Sequence, residues 1–211
     1  MAGGTGGVGP AVLRRLVADG YAVTATYRGQ QPQADDVTFV QCDVTDTGAV
    51  DELVSGLPEL SAVVNLVGGF ASGPRVHETS PGEFEAMLRL NLLPSFLLAR
   101  AAVPKLLTSR GCFLAISSGA VRRPFAGAAG YLTAKAALIT FIETLDADYG
   151  SKGLRANVLQ PGTIDTPANR AAMPDAKTAS WVSPDDLAAA VSLLLQSPAI
   201  RGATIPLAGA S

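Results

Sequence analysis

The sequence predicts an α/β protein, a doubly wound parallel sheet with helices on both faces that lacks its first strand. Three observations carry this. Short apolar runs alternate with amphipathic runs along all 211 residues. The short runs are apolar on both sides, as strands covered by helices above and below must be. A glycine-rich segment, Gly3-Gly4-Thr5-Gly6-Gly7-Val8-Gly9, leads into an amphipathic run with only Met1 and Ala2 in front of it.

The elements follow in order. Pro10–Asp19 reads as the first helix, stopped by Asp19-Gly20. Ala22–Tyr27 (AVTATY) and Val37–Gln41 (VTFVQ) read as strands from their β-branched and aromatic content. Asp46–Leu57 reads as a short helix with Asp46 as N-cap. Ala62–Leu66 is an apolar strand running into Val67-Gly68-Gly69. Ser80–Thr108 reads as one long helical region, opened by Ser80-Pro81 with Glu83 completing a capping box. Pro94 inside it lacks an N–H and crowds the Leu90 carbonyl, so a kink is expected beside Asn91. Phe113–Ile116 is a strand, Tyr131–Tyr149 a helix and Ala156–Leu159 a strand. Thr166–Ser180 is too polar and proline-interrupted for a regular element. Pro184–Gln196 is a helix capped by Ser183, and Thr204–Leu207 closes the chain as a strand.

Composition bounds the rest. With 48% hydrophobic and 16% charged residues the chain is globular, and its length suits one domain over 1–211. A net charge of -2 with no basic block argues against nucleic acid or an anionic membrane as partner. The apolar stretches read as shorter than a membrane span, and the start lacks the basic and apolar regions of a leader. Cys42 and Cys112 are isolated in strand-like runs, which predicts buried free thiols and a cytoplasmic location. No His/Cys/Asp grouping has metal-ligand spacing, so no metal is expected. His77, the only histidine, reads as a surface residue, and Trp181 as a loop anchor.

Chemistry is expected beyond the carboxyl ends of the strands, where open α/β sheets bind ligands. A glycine turn entering a helix brings backbone N–H groups to a pyrophosphate at the positive helix end. The end of the next strand is where an acid would bind the ribose 2′-OH of NAD. Here Tyr27 stands there, followed by Arg28, whose guanidinium suits a 2′-phosphate. NADP(H) is therefore expected over NAD(H). Asp43, at the following strand end, either accepts from an adenine amino group or caps a turn. Tyr131 and Lys135 are four apart on a helix and share a face. A neighbouring ammonium favours the phenolate, which predicts a Tyr131 pKa below the ordinary value of about 10. Ser118 lies at a strand end, where its hydroxyl can meet a substrate oxygen.

Together these residues resemble the short-chain dehydrogenase/reductase family, over essentially the whole chain. The loop AGGTGGVG matches TGxxxGxG, with Ala2 in place of Thr and Gly3, Gly7 and Gly9 at the glycine positions. Asn65-Leu66-Val67-Gly68 resembles NNAG with its middle residues replaced, and Asn91 falls at the family's asparagine. Ser118, Tyr131 and Lys135 fit S-x12-Y-x3-K, and Pro161-Gly162-Thr163-Ile164 with Thr166 fits PG-x-I-x-T. The resemblance implies a Rossmann-like fold and the following roles. Tyr131 is the proton donor in reduction, Lys135 lowers its pKa and holds the nicotinamide ribose, and Ser118 bonds the carbonyl oxygen. Asn91 positions a relay water. Gly3, Thr5, Gly7, Val8, Gly9, Arg28, Asp43, Val44, Asn65, Gly68, Pro161, Gly162, Ile164 and Thr166 bind the cofactor with Tyr131 and Lys135.

Asp165–Arg170, Met173–Ala176, Ser180-Trp181 and the Gly68-Gly69-Phe70-Ala71-Ser72-Gly73 turn also resemble dihydropteridine reductases. Those enzymes usually lack the serine and carry an acid where Tyr27-Arg28 stands. The implied activity is NADP(H)-dependent reduction of a small carbonyl compound. A quinonoid pterin is the alternative substrate, and a non-catalytic dinucleotide-binding redox sensor the alternative class. The resemblance also places a strand of about five residues before the glycine turn, so the sequence is expected to lack its true N-terminus. Finally, 83–108 and 131–149 carry surplus apolar residues (Leu92, Leu93, Phe96, Leu97, Leu98; Leu138, Ile139, Phe141, Ile142), and family members pair such helices into two-fold dimers or tetramers.

Overall fold

Residues 1–71 and 73–209 are described by a computed structural model. Ser72, part of the Gly68–Gly73 turn, lies outside the described residues. The strands are β1 (Val23–Tyr27), β2 (Val37–Gln41), β3 (Ala62–Asn65), β4 (Cys112–Ile116), β5 (Arg155–Pro161) and β6 (Thr204–Leu207). The helices are α1 (Gly9–Ala18), α2 (Thr47–Ser55), α3 (Pro81–Asn91), α4 (Leu93–Ser109), α5 (Ala129–Tyr149), α6 (Pro167–Ala172) and α7 (Pro184–Gln196).

All strand pairs are parallel, but they form two sheets, β1-β2 and β3-β4-β5-β6. The first two residues join them. Ala2 bridges to Asn65, donating to the Val64 carbonyl (2.9 Å) and accepting from Leu66 (3.0 Å). Met1 accepts from Thr26 N–H (2.9 Å), and its ammonium donates to the Thr24 carbonyl. The spatial order is thus β2, β1, residues 1–2, β3, β4, β5, β6. Chain direction across the sheet reverses at Met1–Ala2, which is the switch point where such sheets bind ligands.

Helices cover both faces. Val50 of α2, Leu97 and Leu106 of α4 and Leu138 and Ile142 of α5 pack on Val63, Phe113 and Val158. On the other face Val12 and Leu16 of α1 and Leu187, Val191 and Leu194 of α7 pack on Ala25, Val64, Leu114 and Leu159. Leu97, Leu98, Leu138 and Ile142 are core residues, so they do not belong to the surplus apolar surface expected of these helices. Leu92, Leu93, Phe96, Ala137 and Phe141 remain outside and line a groove of about 720 Å³.

The caps explain most boundaries. Asp46, Ser80 and Ser183 each accept from the N–H three residues on. The region read as one helix over 80–108 is two. α3 ends at Asn91 and α4 begins after Leu92, with Pro94 in the first turn of α4, where its missing N–H costs nothing. The combined stretch Pro81–Ser109 is long and apolar enough to cross a membrane by composition. It is broken at Leu92, and α4 buries Leu97, Leu98, Ala102, Val103 and Leu106 against the sheet. The 166–180 region holds the short helix α6, capped by the Thr166 side chain. Cys42 and Cys112 are buried free thiols.

Candidate active site

A groove of about 300 Å³ opens at the switch point and is lined by Gly3, Thr5, Arg28, Asp43, Val44 and Gly68. Thr26, Leu66, Val67 and Leu90 also line it and were not among the residues expected to bind the cofactor. Gly3 has φ +82°, and a Cβ there would lie 3.1 Å from the Leu66 carbonyl carbon, so only glycine fits without strain. The turn then closes through Gly6 N–H to the Gly3 carbonyl (3.1 Å) and Gly9 N–H to the Gly6 carbonyl (2.9 Å). No side chain caps α1 at Val8; Gly9 gives its N–H to the Gly6 carbonyl and Pro10 has none, so what this end offers an anion is the positive helix terminus. Gly7, Val8 and Gly9 form this helix entry. Pro161 ends β5, and Gly162, Ile164 and Thr166 lie between it and α6. The two segments touch, since a Cβ on Gly7 would sit 3.0 Å from Thr166 Cγ2.

Charge at the groove is set by two strand ends. Arg28 is exposed, and its guanidinium makes no ion pair among the described residues. Asp43 accepts from both the backbone N–H (2.9 Å) and hydroxyl (2.8 Å) of Thr45. These two bonds hold its carboxyl below the ordinary range, helped by the nearby Arg28 charge. It therefore caps a turn with Oδ1, at a residue that lines the groove. Asn65 differs from expectation. Its side chain is buried, donates to Ser95 Oγ (2.7 Å) and accepts from Val67 N–H (3.0 Å). Its contribution is to shape the Leu66–Gly68 wall rather than to face the groove.

Ser118, Tyr131 and Lys135 meet at the carboxyl end of β4. The Ser117 hydroxyl donates to the Lys135 carbonyl (2.8 Å), fixing the first turns of α5 against the strand end. Ser118 Oγ accepts from Ala120 N–H (3.2 Å), which leaves its own proton to give. Lys135 Nζ donates to the Ile116 carbonyl (2.8 Å). Burial lowers the ammonium pKa to about 8. Burial also raises the Tyr131 phenol above its ordinary value, and the adjacent Ser118 hydroxyl only partly offsets this. The lowering expected from Lys135 does not appear here, because desolvation of the phenolate wins.

Asn91 is buried and fully committed to backbone. It accepts from Gly69 N–H (3.0 Å) and donates to the carbonyls of Gly69 (3.0 Å) and Met87 (3.1 Å). A Cβ on Gly68 would lie 2.8 Å from both Asn91 Oδ1 and Lys135 Nζ, so glycine lets these two groups close on the turn. The Asn91 side chain thus positions the Gly68-Gly69 turn. Phe125 was missed, and Phe70 was read only as part of the Gly68–Gly73 turn. Phe70 packs on Tyr131 and Phe125 packs on Phe70, and nothing in their spacing signals these contacts. His77 is exposed on a 3-10 turn, beside Glu78.

A parallel sheet with a crevice at its reversal point and a glycine turn entering a helix defines a doubly wound α/β protein of the nucleotide-binding type. The chain belongs to the short-chain dehydrogenase family, whose model matches residues 1–177. It is similar to the 3-oxoacyl-acyl-carrier-protein reductase MabA of Mycobacterium tuberculosis, at 29% identity over 99% of this chain and 90% of that protein. It is also similar to a cyclic-di-GMP-binding biofilm dispersal mediator protein of Escherichia coli, at 33% identity over 80% of this chain and 73% of that protein. A solved short-chain dehydrogenase/reductase variant of Serratia marcescens superposes with TM-score 0.86 at 27% identity, covering 98% of this chain and 94% of that one.

Proposed function

We propose that the chain is a cytoplasmic, single-domain NADP(H)-dependent reductase of small carbonyl compounds. The observation that carries this is the meeting of Ser118, Tyr131 and Lys135 at the β4 end, beside the groove. NADPH, when bound, supplies the hydride. Gly3, Gly7, Val8 and Gly9 suit its pyrophosphate, Arg28 its 2′-phosphate, and Asp43 and Val44 its adenine. Ser118 donates to the substrate carbonyl oxygen and aligns it. Tyr131 gives that oxygen its proton as the carbonyl carbon receives the hydride, so the products are an alcohol and NADP⁺. A phenol held above its ordinary pKa is protonated at neutral pH, as a donor must be. Lys135, buried and charged below about pH 8, provides the positive charge beneath the site.

The direct test is NADPH oxidation against ketones, quinones and quinonoid dihydropterin. Turnover of ketones that collapses in Ser118→Ala supports carbonyl reduction. Pterin turnover indifferent to Ser118→Ala favours the pterin reductase reading. A second class of reading has one observation in its favour, the relative named for binding cyclic-di-GMP. Nucleotide binding with no turnover of any carbonyl or pterin would favour that non-catalytic role.

Arg28 sets cofactor choice in this reading. A guanidinium–phosphate contact is worth about 1.5–3 kcal/mol, or roughly ten- to a hundredfold. Arg28→Ala is expected to cut kcat/KM for NADPH by that factor and to leave the NADH value nearly unchanged. Equal use of both cofactors by the wild type would sink the idea.

The α3/α4/α5 groove supports a two-fold dimer or a tetramer. Phe96 stands half exposed there and meets Phe141 at a centroid distance of 6.1 Å. Light scattering at micromolar concentration should show more than one chain per particle, and Phe96→Asp should shift it toward the monomer. A monomeric wild type would contradict this.

A further inference from the structure

The large apolar side chains left in water are not scattered. Phe70, Val76, Phe96, Phe125, Met173 and Leu193 are the exposed large hydrophobics among the described residues. Phe96 and Leu193 lie on the outer faces of α4 and α7. The other four stand on the segments that follow the carboxyl ends of β3, β4 and β5, and Phe70 among them packs on Tyr131. Single exposed hydrophobics are ordinary, but a group of them rimming a site marks a ligand surface.

Phe70 and Phe125 are its ordered part. Phe70 is 54% exposed and Phe125 48%. They come from different loops, joined by Gly73 N–H to the Gly127 carbonyl at 2.8 Å. Their ring centroids are 5.9 Å apart at 59°. Phe70 also stands nearly perpendicular to Tyr131, at 5.1 Å and 77°. Phe70 thus joins Tyr131 to Phe125 in a row of three rings, and both phenylalanines keep ring surface open to solvent. Edge-to-face contacts of this kind repeat favourably when a further ring comes within about 4.5–7 Å.

We infer that Phe70 and Phe125 form an aromatic wall that selects flat aromatic carbonyl compounds over saturated ones of the same size. This rests on the reading of Tyr131 as proton donor to a carbonyl. An aryl ketone placed with its oxygen at Ser118 and Tyr131 lays its ring against Phe70 and Phe125. A puckered saturated ring of equal carbon count buries similar area but has no quadrupole to match the phenyl edges. Each ring pair gives about two- to thirteenfold beyond area burial.

Acetophenone and cyclohexyl methyl ketone are a matched pair. The quantity to read is the ratio of their kcat/KM values with NADPH in wild type, Phe70→Leu, Phe125→Leu and the double variant. Comparing ratios between proteins cancels the intrinsic reactivity of each ketone. The aryl:cyclohexyl ratio is expected to fall about threefold in each single variant and about tenfold in the double, carried by KM. A ratio unchanged across all four proteins overturns the wall. Saturation-transfer NMR on acetophenone with the NADP⁺-loaded proteins reads the same contact without turnover. If no protein reduces either ketone, the carbonyl-reduction reading fails and the NMR decides the wall alone. Signal lost in the leucine variants supports it, and equal signal in all four overturns it. Melting curves identify any variant that has lost its fold, and the remaining single variant then carries the comparison.

Discussion

Tyr131→Phe is expected to lower kcat/KM for carbonyl reduction by about 10²–10⁴-fold, the range that general acid catalysis supplies. The ring stays, so its packing against Phe70 at 5.1 Å stays, and only the proton is removed. NADPH should still bind, because the glycine turn, Arg28 and Asp43 are untouched. Full activity in Tyr131→Phe would exclude the assignment. The pH profile adds a second check. Burial raises the Tyr131 pKa, so the donor keeps its proton through the physiological range. Lys135 is the group that titrates, with its pKa lowered to about 8 by desolvation. The kcat/KM for NADPH reports the unliganded enzyme, and it should fall as pH rises through about 8 and Lys135 loses its charge. Lys135→Met should abolish that descending limb. A profile flat to pH 10 would show that the lysine charge does not matter.

The fold was legible wherever local chemistry and periodicity agreed. Ser183, Pro184 and two following aspartates specify a helix start whatever surrounds it, and α7 begins there. Apolar runs without alternation specified parallel strands, and the strands found are all parallel. Facing was not legible for α4 and α5. Both are apolar nearly all round, so periodicity could not tell core residues such as Leu97 and Leu138 from outward ones such as Phe96 and Phe141. Spacing brought Tyr131 and Lys135 to one helix face but could not give the sign of the Tyr131 shift. That depends on burial, which is a tertiary property. Asn65 and Asn91 were recognisable as polar residues at strand and helix ends. Which way an amide turns depends on partners distant in sequence, Ser95 for one and Gly69 for the other. The Phe70–Phe125 contact was invisible for the same reason, since two loops close it from separate strand ends.

The gap between β1 and β3 makes the second large effect. Each strand has one edge paired, β1 to β2 and β3 to β4, while only Met1 and Ala2 fill the space between them. Alternation along parallel strands turns the Thr24 N–H and Ala22 carbonyl of one edge, and the Val64 N–H and Ala62 carbonyl of the other, toward the unfilled part. Leu16, Val23, Ala62, Val64 and Leu195 line it with apolar surface. Met1's ammonium is desolvated at this point, which lowers its pKa from 8.0 to about 6. The sign follows from the lowered value. Between about pH 6 and 8 the unfolded chain binds the proton that the folded chain rejects, so stability rises with pH across that window. Below about pH 6 the penalty is complete, about 3 kcal/mol for two pKa units. Joining Lys-Val-Leu-Val ahead of Met1 replaces the ammonium with an amide and offers backbone and apolar side chains to both open edges. At pH 6 the extended chain is expected to melt about 5–10 °C higher, at 2–4 °C per kcal/mol for a chain of this size. The difference should shrink by pH 9, where the amine is neutral in both states. A polar extension such as Lys-Asp-Gly-Ser separates the two contributions. It removes the charge but fills no apolar slot, so it should recover the pH-dependent part alone. Equal melting temperatures for the extended and unextended chains at pH 6 would show that neither the buried ammonium nor the open edges cost stability.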